Sequence, residues 1–420
     1  EGALILDLTD RFCPHTNAKG ADLDGAYADA MLMVARYYPQ HDDIAPLAAE
    51  AAMDTLPWDY WEPDKQSAKP RLGEAIRLVE MVSARNPDHP QAPHLYIHLM
   101  ENGPDPRRAE AAADRLSAPL AGDAGHMVHM PAHIYYRLGR WKDSIRVNID
   151  AARKDEAYIK EADDKGFVRY GYYPHNVHFI VTSAQMGGDL PTAIREAKRL
   201  ASIVDANTAS QIGWIQAIYA APYFATLQFA PAADVLELPE PDPRLAYVQG
   251  VRHYVRAVAY AQQKNDIGFD KEMRELARLR QAEALKAMAD QGMPAPDLLA
   301  LAEHVARGKY ASIRGRHLQS ADHYRQAVAV EDRISYMDPP WWYFPVNQSL
   351  GSALYRAGRY QEAQQAFTAA LAKFPNNGWA LYGLAATEQK LGRRAQAAAA
   401  TAALNRAWMG DPKWLRMERI

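Results

Sequence analysis

The stretch "NQSLGSALYRAGRYQEAQQAFTAALAKFPNN", residues 347–377, reads as two helices joined by a tight turn. Gly351, Ala363 and Ala370 are small enough to let the helices cross closely, while Leu350 and Phe367 supply apolar contact. Gly358 suits a left-handed turn residue and Pro375 stops the second helix. Gly392 follows Gly358 by 34 residues, so the hairpin is copied at once in the same phase. A single hairpin cannot bury its apolar face, whereas a stack of them can.

Working outward, earlier copies keep step. Ala75 in "RLGEAIRLVEMVSARNP" and Ala109 in "RRAEAAADRL" lie 34 apart, and Ser144 follows at 35. Ala193 comes 49 later because "YIKEADDKGFVRYGYYP", residues 158–174, is inserted. "GKYASIRGRHLQSADHYRQAVAVED" adds another unit with Gly315 at its turn. This period and these small, aromatic and proline positions are those of a tetratricopeptide repeat. The expected fold is all-α, an α-solenoid forming one right-handed superhelix of about eight or nine hairpins. Within residues 1–420, the segment 1–205 holds N-terminal repeats, 206–292 divergent hairpins and 293–420 C-terminal repeats. The divergent part includes a long helix expected over Phe269–Ala289. "DTLPWDYWEPDKQSAKP" (54–70) and "SYMDPPWWYFP" (335–345) are aromatic-rich insertions.

Composition narrows the chemistry. Apolar residues make up 48% and charged residues 24% of 420, the balance of a globular protein. Net charge is -3, which gives no basic field for nucleic acid. No run of eighteen apolar residues exists, so no membrane span is expected. Cys13 is the only cysteine, excluding intrachain disulfides and thiolate clusters. The chain opens at Glu1 without an initiator Met, which points to a removed leader or N-terminal portion. That favours a periplasmic or secreted location over a cytoplasmic one.

Seven of the fourteen histidines fall between residues 94 and 178, as "HLYIH" (His94, His98), "HMVHMPAH" (His126, His129, His133) and "HNVH" (His175, His178). Counted from the turn glycines Gly139 and Gly188, and from Ala109, they occupy the same few positions of three consecutive first helices. In this repeat those positions line the concave groove, so the imidazoles are expected to share one channel. At 100° per residue His129 lies about 60° and His133 about 20° from His126, on one stripe. Pro131 conflicts with this phase, because it cannot bond to Met127; a helix starting there would leave His126 and His129 on its approach. Imidazole ligation suits a transition metal, copper first with iron or zinc as alternatives, in one or two ions. The expected ligands are His94, His98, His126, His129, His133, His175 and His178, with Glu101, Tyr136 and Tyr173 as outer groups. His98 and His133 have no packing role in this reading, so replacing either should cost little stability. The inserted 158–174 segment carries Tyr170, Tyr172 and Tyr173 and either covers the groove as a lid or is a solvated loop.

"WDYW" (58–61), "HLYIH", "HMPAHIYYRLGRW", "YYPHNVHF" and "PPWWYFPVNQSLG" together resemble one group of bacterial tetratricopeptide-repeat proteins. The resemblance spans most of the chain and implies the fold; no reaction is assigned to the group. Its members usually carry an upstream helical portion, with which this chain would associate. Three functions follow as expectations. The first is an oxidoreductase with a histidine-held metal and a small-molecule substrate. The second is a non-catalytic scaffold that binds a peptide or protein partner in the groove. The third is a metal-dependent hydrolase.

Overall fold

The computed structural model describes residues 20–64, 66–117, 120 and 122–420; Cys13 lies outside them. Among the described residues the chain is helical, with no strand beyond one isolated bridge between Trp61 and Ala68. It forms two compact units, Glu1–Arg137 and Leu138–Ile420.

The first unit holds α1 (Gly20–Tyr37), α2 (Ile44–Asp54), α3 (Leu72–Arg85), α4 (Gln91–Glu101), α5 (Glu110–Leu116), α6 (Gly125–His129) and α7 (Pro131–Arg137). Each of α1 to α4 packs on the next, and α7 rests on α4 and α5. Alanines give α2 a slim profile: Ala48, Ala49 and Ala52 are fully buried between its neighbours. Arg36 grips Glu74 through two bonds of 2.8 and 2.6 Å, and Arg71 grips Asp29 through two of 2.7 Å, tying α1 to α3 and its entry. The 54–70 insertion is anchored by Tyr60 and Trp61, both buried; the Trp61 indole donates to the Leu99 carbonyl at 3.0 Å.

The second unit begins with α8 (Trp141–Ala162), α9 (Tyr173–Gly187), α10 (Leu190–Ile203), α11 (Ala206–Gln211), α12 (Ile215–Phe229), α13 (Ala232–Leu236) and α14 (Ala246–Gln262). It continues with α15 (Asp266–Leu279), α16 (Glu283–Asp290), α17 (Ala295–Ile313) and α18 (His317–Glu331). Two hairpins end it: α19 (Val346–Arg356) with α20 (Tyr360–Lys373), and α21 (Gly378–Lys390) with α22 (Arg394–Ala407). Gly315, Gly358 and Gly392 take positive φ at the hairpin turns, where the repeat phase places them. Phe367 is fully buried against Gly351 and Gly383, positions where a side chain would meet its ring.

Two sequence expectations change here. Most of the 158–174 segment is helical, and only residues 163–166 form a loop. Its first residues, rich in helix formers, complete α8, Asp163 caps that helix with a φ of 47°, and 168–172 form a wide helical turn into α9. The long helix expected over Phe269–Ala289 is two, because the chain turns at Arg280–Ala282 between α15 and α16.

The array in this unit also meets itself. The Trp141 indole donates to the Asn376 carbonyl at 2.9 Å, and Trp379 donates to the Gln185 carbonyl at 3.0 Å. The Met409 amide bonds the Gly187 carbonyl at 2.8 Å, with Trp408 packed over Gly188 and Gly378. First and last hairpins of the unit therefore share a seam. The aromatic 335–345 loop folds inward, burying Trp341, Trp342 and Tyr343.

Candidate metal centre

Helix α4 is two-faced by its own spacing. Ala92, Leu95, Tyr96 and Leu99 bury one side. His94, His98 and Glu101, at i, i+4 and i+7, share the other within about 60°. Pro131 has no amide hydrogen, so the helix carrying the next three histidines breaks after Met130. His126 and His129 therefore sit on the short α6 and His133 on α7; His126 and His133 still reach the imidazoles of α4, and His129 meets both of them.

The contacts are close. His94 Nε2 lies 3.2 Å from His126 Nε2, and His129 Nε2 lies 2.9 Å from His133 Nε2. One ring nitrogen from each of His94, His98 and His126 lies within 4.8 Å of the other two. The His98 ring is centred 5.5 Å from that of His133, and His126 is 6.2 Å from His129.

Glu101 organises the set. Its side chain has no solvent exposure, and Oε1 accepts from His98 Nδ1 at 3.0 Å and from the Trp58 indole at 3.1 Å. Oε2 faces His133 Nδ1 at 2.5 Å. Burial works to raise this carboxyl, but His133 and His98 outweigh it and hold Glu101 well below the usual carboxylate range. With Nδ1–H committed to Glu101, both imidazoles present Nε2 lone pairs. His94 does the same through Gln91, whose Oε1 sits 3.2 Å from its Nδ1. Burial, then the neighbouring His98 and His126, push the His94 imidazolium far down; burial and His98 push His126 down to about 3. His94 and His126 are thereby neutral at physiological pH, the form a metal requires.

His175 and His178 are on α9 of the second unit. His178 Nε2 is 2.9 Å from the Tyr343 hydroxyl, which donates to the Ala217 carbonyl, so this imidazole donates and holds the inward loop. Its burial drops it to about 3. Tyr173, also on α9, donates to Glu156 at 2.6 Å beneath the Arg199 guanidinium. Tyr136, on α7, is fully buried in the first unit. The residue that sequence reasoning passed over is Trp58. Its backbone is left-handed (φ 57°) and its ring half exposed, edge-on to His98 at 6.2 Å. "WDYW" signalled an aromatic insertion but not an indole donor to Glu101.

Comparison with known proteins agrees with the repeat reading. Residues 354–418 match the family model described as Tetratricopeptide repeat. No curated protein matches the chain. Among solved structures, the human IFIT1 dimer with m7Gppp-AAAA is similar at 12% identity, covering 92% of this chain and 78% of that one, with a TM-score of 0.36. The Cut9–Hcn1 hetero-tetramer of APC/C is similar at 11% identity, covering 92% and 94%, with a TM-score of 0.26. The P58(IPK) TPR domain is similar at 14% identity, covering 83% and 92%, with a TM-score of 0.25. Scores this low assign no ligand to this chain.

Proposed function

We propose that this tetratricopeptide-repeat protein holds a transition metal in its first unit, copper before zinc or iron, and acts as an oxidoreductase on a small molecule. The observation carrying this reading is the mutual approach of His94, His98 and His126 within 4.8 Å, backed by the carboxylate that fixes the His98 tautomer. A tetrahedral ion with bonds of about 2.0 Å needs ligand atoms roughly 3.3 Å apart. The His94–His126 separation of 3.2 Å already meets that, and a small ring rotation of His98 completes the trio.

Ligand type selects the metal. Both Glu101 oxygens are engaged by N–H donors, so the donors facing the ion are nitrogen only. Hard cations prefer oxygen, and non-haem iron oxygenases use a carboxylate beside two histidines. Neutral imidazoles alone favour copper and then zinc, and copper stands highest in the affinity series. Three ligands leave a coordination position for substrate. His129 and His133, 2.9 Å apart at Nε2, offer two further ligands that would start a second ion.

The test is metal content and spectroscopy. Chelator-stripped protein is titrated with Cu(II) and Zn(II) in competition, and nitrogen hyperfine structure is read by EPR. At least one tightly held copper with imidazole coupling is expected. Glu101→Gln keeps the shape but loses the charge behind His98 and His133, so metal affinity should fall about 10–100-fold. Stoichiometric copper retained in a His94→Ala/His98→Ala/His126→Ala triple variant would sink the proposal.

A further inference from the structure

The second unit contains a cavity of 270 Å³ between α12, α14, α17, α19 and the C-terminal segment. Its walls are aromatic, formed by Tyr254, Trp342, Phe344 and Trp379. Several of its polar groups are hydrogen-bond donors. Trp342 and Tyr254, each 5% exposed, border the space, and neither the indole N–H nor the phenol has a hydrogen-bond partner among the described residues. Gln348 is 4% exposed and its Oε1 already accepts from Asn377 at 2.7 Å, so only its amide N–H groups remain for the cavity. Lys309 Nζ donates to the main-chain oxygens of Ile420 at 2.7 Å and Arg419 at 3.4 Å, and one proton is left over.

Donors that line an otherwise apolar cavity favour a ligand that offers them an acceptor. An anionic oxygen satisfies several at once, more strongly than a neutral one. Burial first, then Arg356 and Arg419, push the Lys309 ammonium down to about 8. Glu418 stands at the exposed mouth and works against a second negative charge on the ligand. We propose that this cavity binds a small monocarboxylic acid with an aromatic body, its carboxylate toward Lys309 and Gln348 and its ring against Trp342 and Tyr254. A cavity near 150 Å³ accommodates benzene, so this one takes roughly ten to fifteen non-hydrogen atoms.

The site is independent of the metal centre, and so is its test. The full chain is titrated with benzoate, phenylacetate, 3-phenylpropionate and indole-3-acetate, and with the amide of each, by calorimetry. At least one acid should bind saturably and about tenfold more tightly than its amide. Lys309→Met should abolish that difference while leaving amide binding in place. Tyr254→Phe, which removes only a hydroxyl, should weaken the acid several-fold and serves if the Lys309 variant does not fold. No saturable binding by any of the four acids, equal binding of acid and amide, or full acid affinity in both variants would overturn the proposal.

Discussion

Glu101 stays ionised inside the first unit because three N–H donors surround it, from Trp58, His98 and His133. The sequence placed Glu101 on the histidine face of its helix, since spacing alone shows that. It did not reveal that His98 and His133 both turn a ring nitrogen to this carboxylate, which requires knowing that α7 rests on α4. The expectation that both histidines are dispensable for folding therefore changes. His133→Ala should destabilise the metal-free protein by about 3–5 kcal/mol in denaturant melts, the cost of stripping a buried carboxylate of its partner. His94→Ala, which leaves Glu101 untouched, should cost clearly less. In the second unit Asp155 is buried with Asn176 as its hydrogen-bond partner at 2.7 Å, and burial raises its carboxyl to about 6. A raised carboxyl favours the protonated fold: its contribution is complete below the unfolded value near 3.8 and is lost as pH rises through 6. Asp155→Asn should thus stabilise by roughly 2–3 kcal/mol at pH 8 and by almost nothing at pH 3.5, read as paired thermal melts. Equal shifts at both pH values would refute the assignment.

Elements were legible where one residue type dictates geometry. The Gly358 and Gly392 turns follow from glycine's tolerance of positive φ, and the break before Pro131 from its missing amide hydrogen. The helical character of the 158–174 stretch was not legible, because a helix longer than its repeat looks like an inserted loop when only the period is counted. Glycines also separate by context. Gly139 (φ +69°) lies against the Pro375 main chain, where an added Cβ would overlap the carbonyl, whereas Gly358 (φ +76°) has nothing nearby. Gly358→Ala should therefore cost only the left-handed backbone penalty, about 1 kcal/mol. Gly139→Ala adds a main-chain collision and should cost several times more, unless a melt shows the two variants equal, in which case the loop at 375 yields freely.

At the scale of the whole second unit, the repeat phase predicted hairpins but not their meeting. Whether an array meets itself depends on a small rotation summed over many repeats, which no single motif encodes. The tryptophans that make the seam, Trp141, Trp379 and Trp408, read in sequence as ordinary packing residues. An open stack frays from its ends, because each terminal repeat has one neighbour. Here α9 and α21 touch, so native-state hydrogen exchange should find their amides protected as well as those of α14 and α17. Exchange that accelerates steadily toward α21 and α22 would show that the seam contributes little. A stack with free ends can gain or lose a copy by duplication, and natural arrays vary in copy number for that reason. A seam removes that freedom: one added hairpin would carry Trp379 past Gln185, and one fewer would leave it short. The unit's evolution is thus confined to changing what its hairpins carry, with their number held constant by the need for the last to find the first.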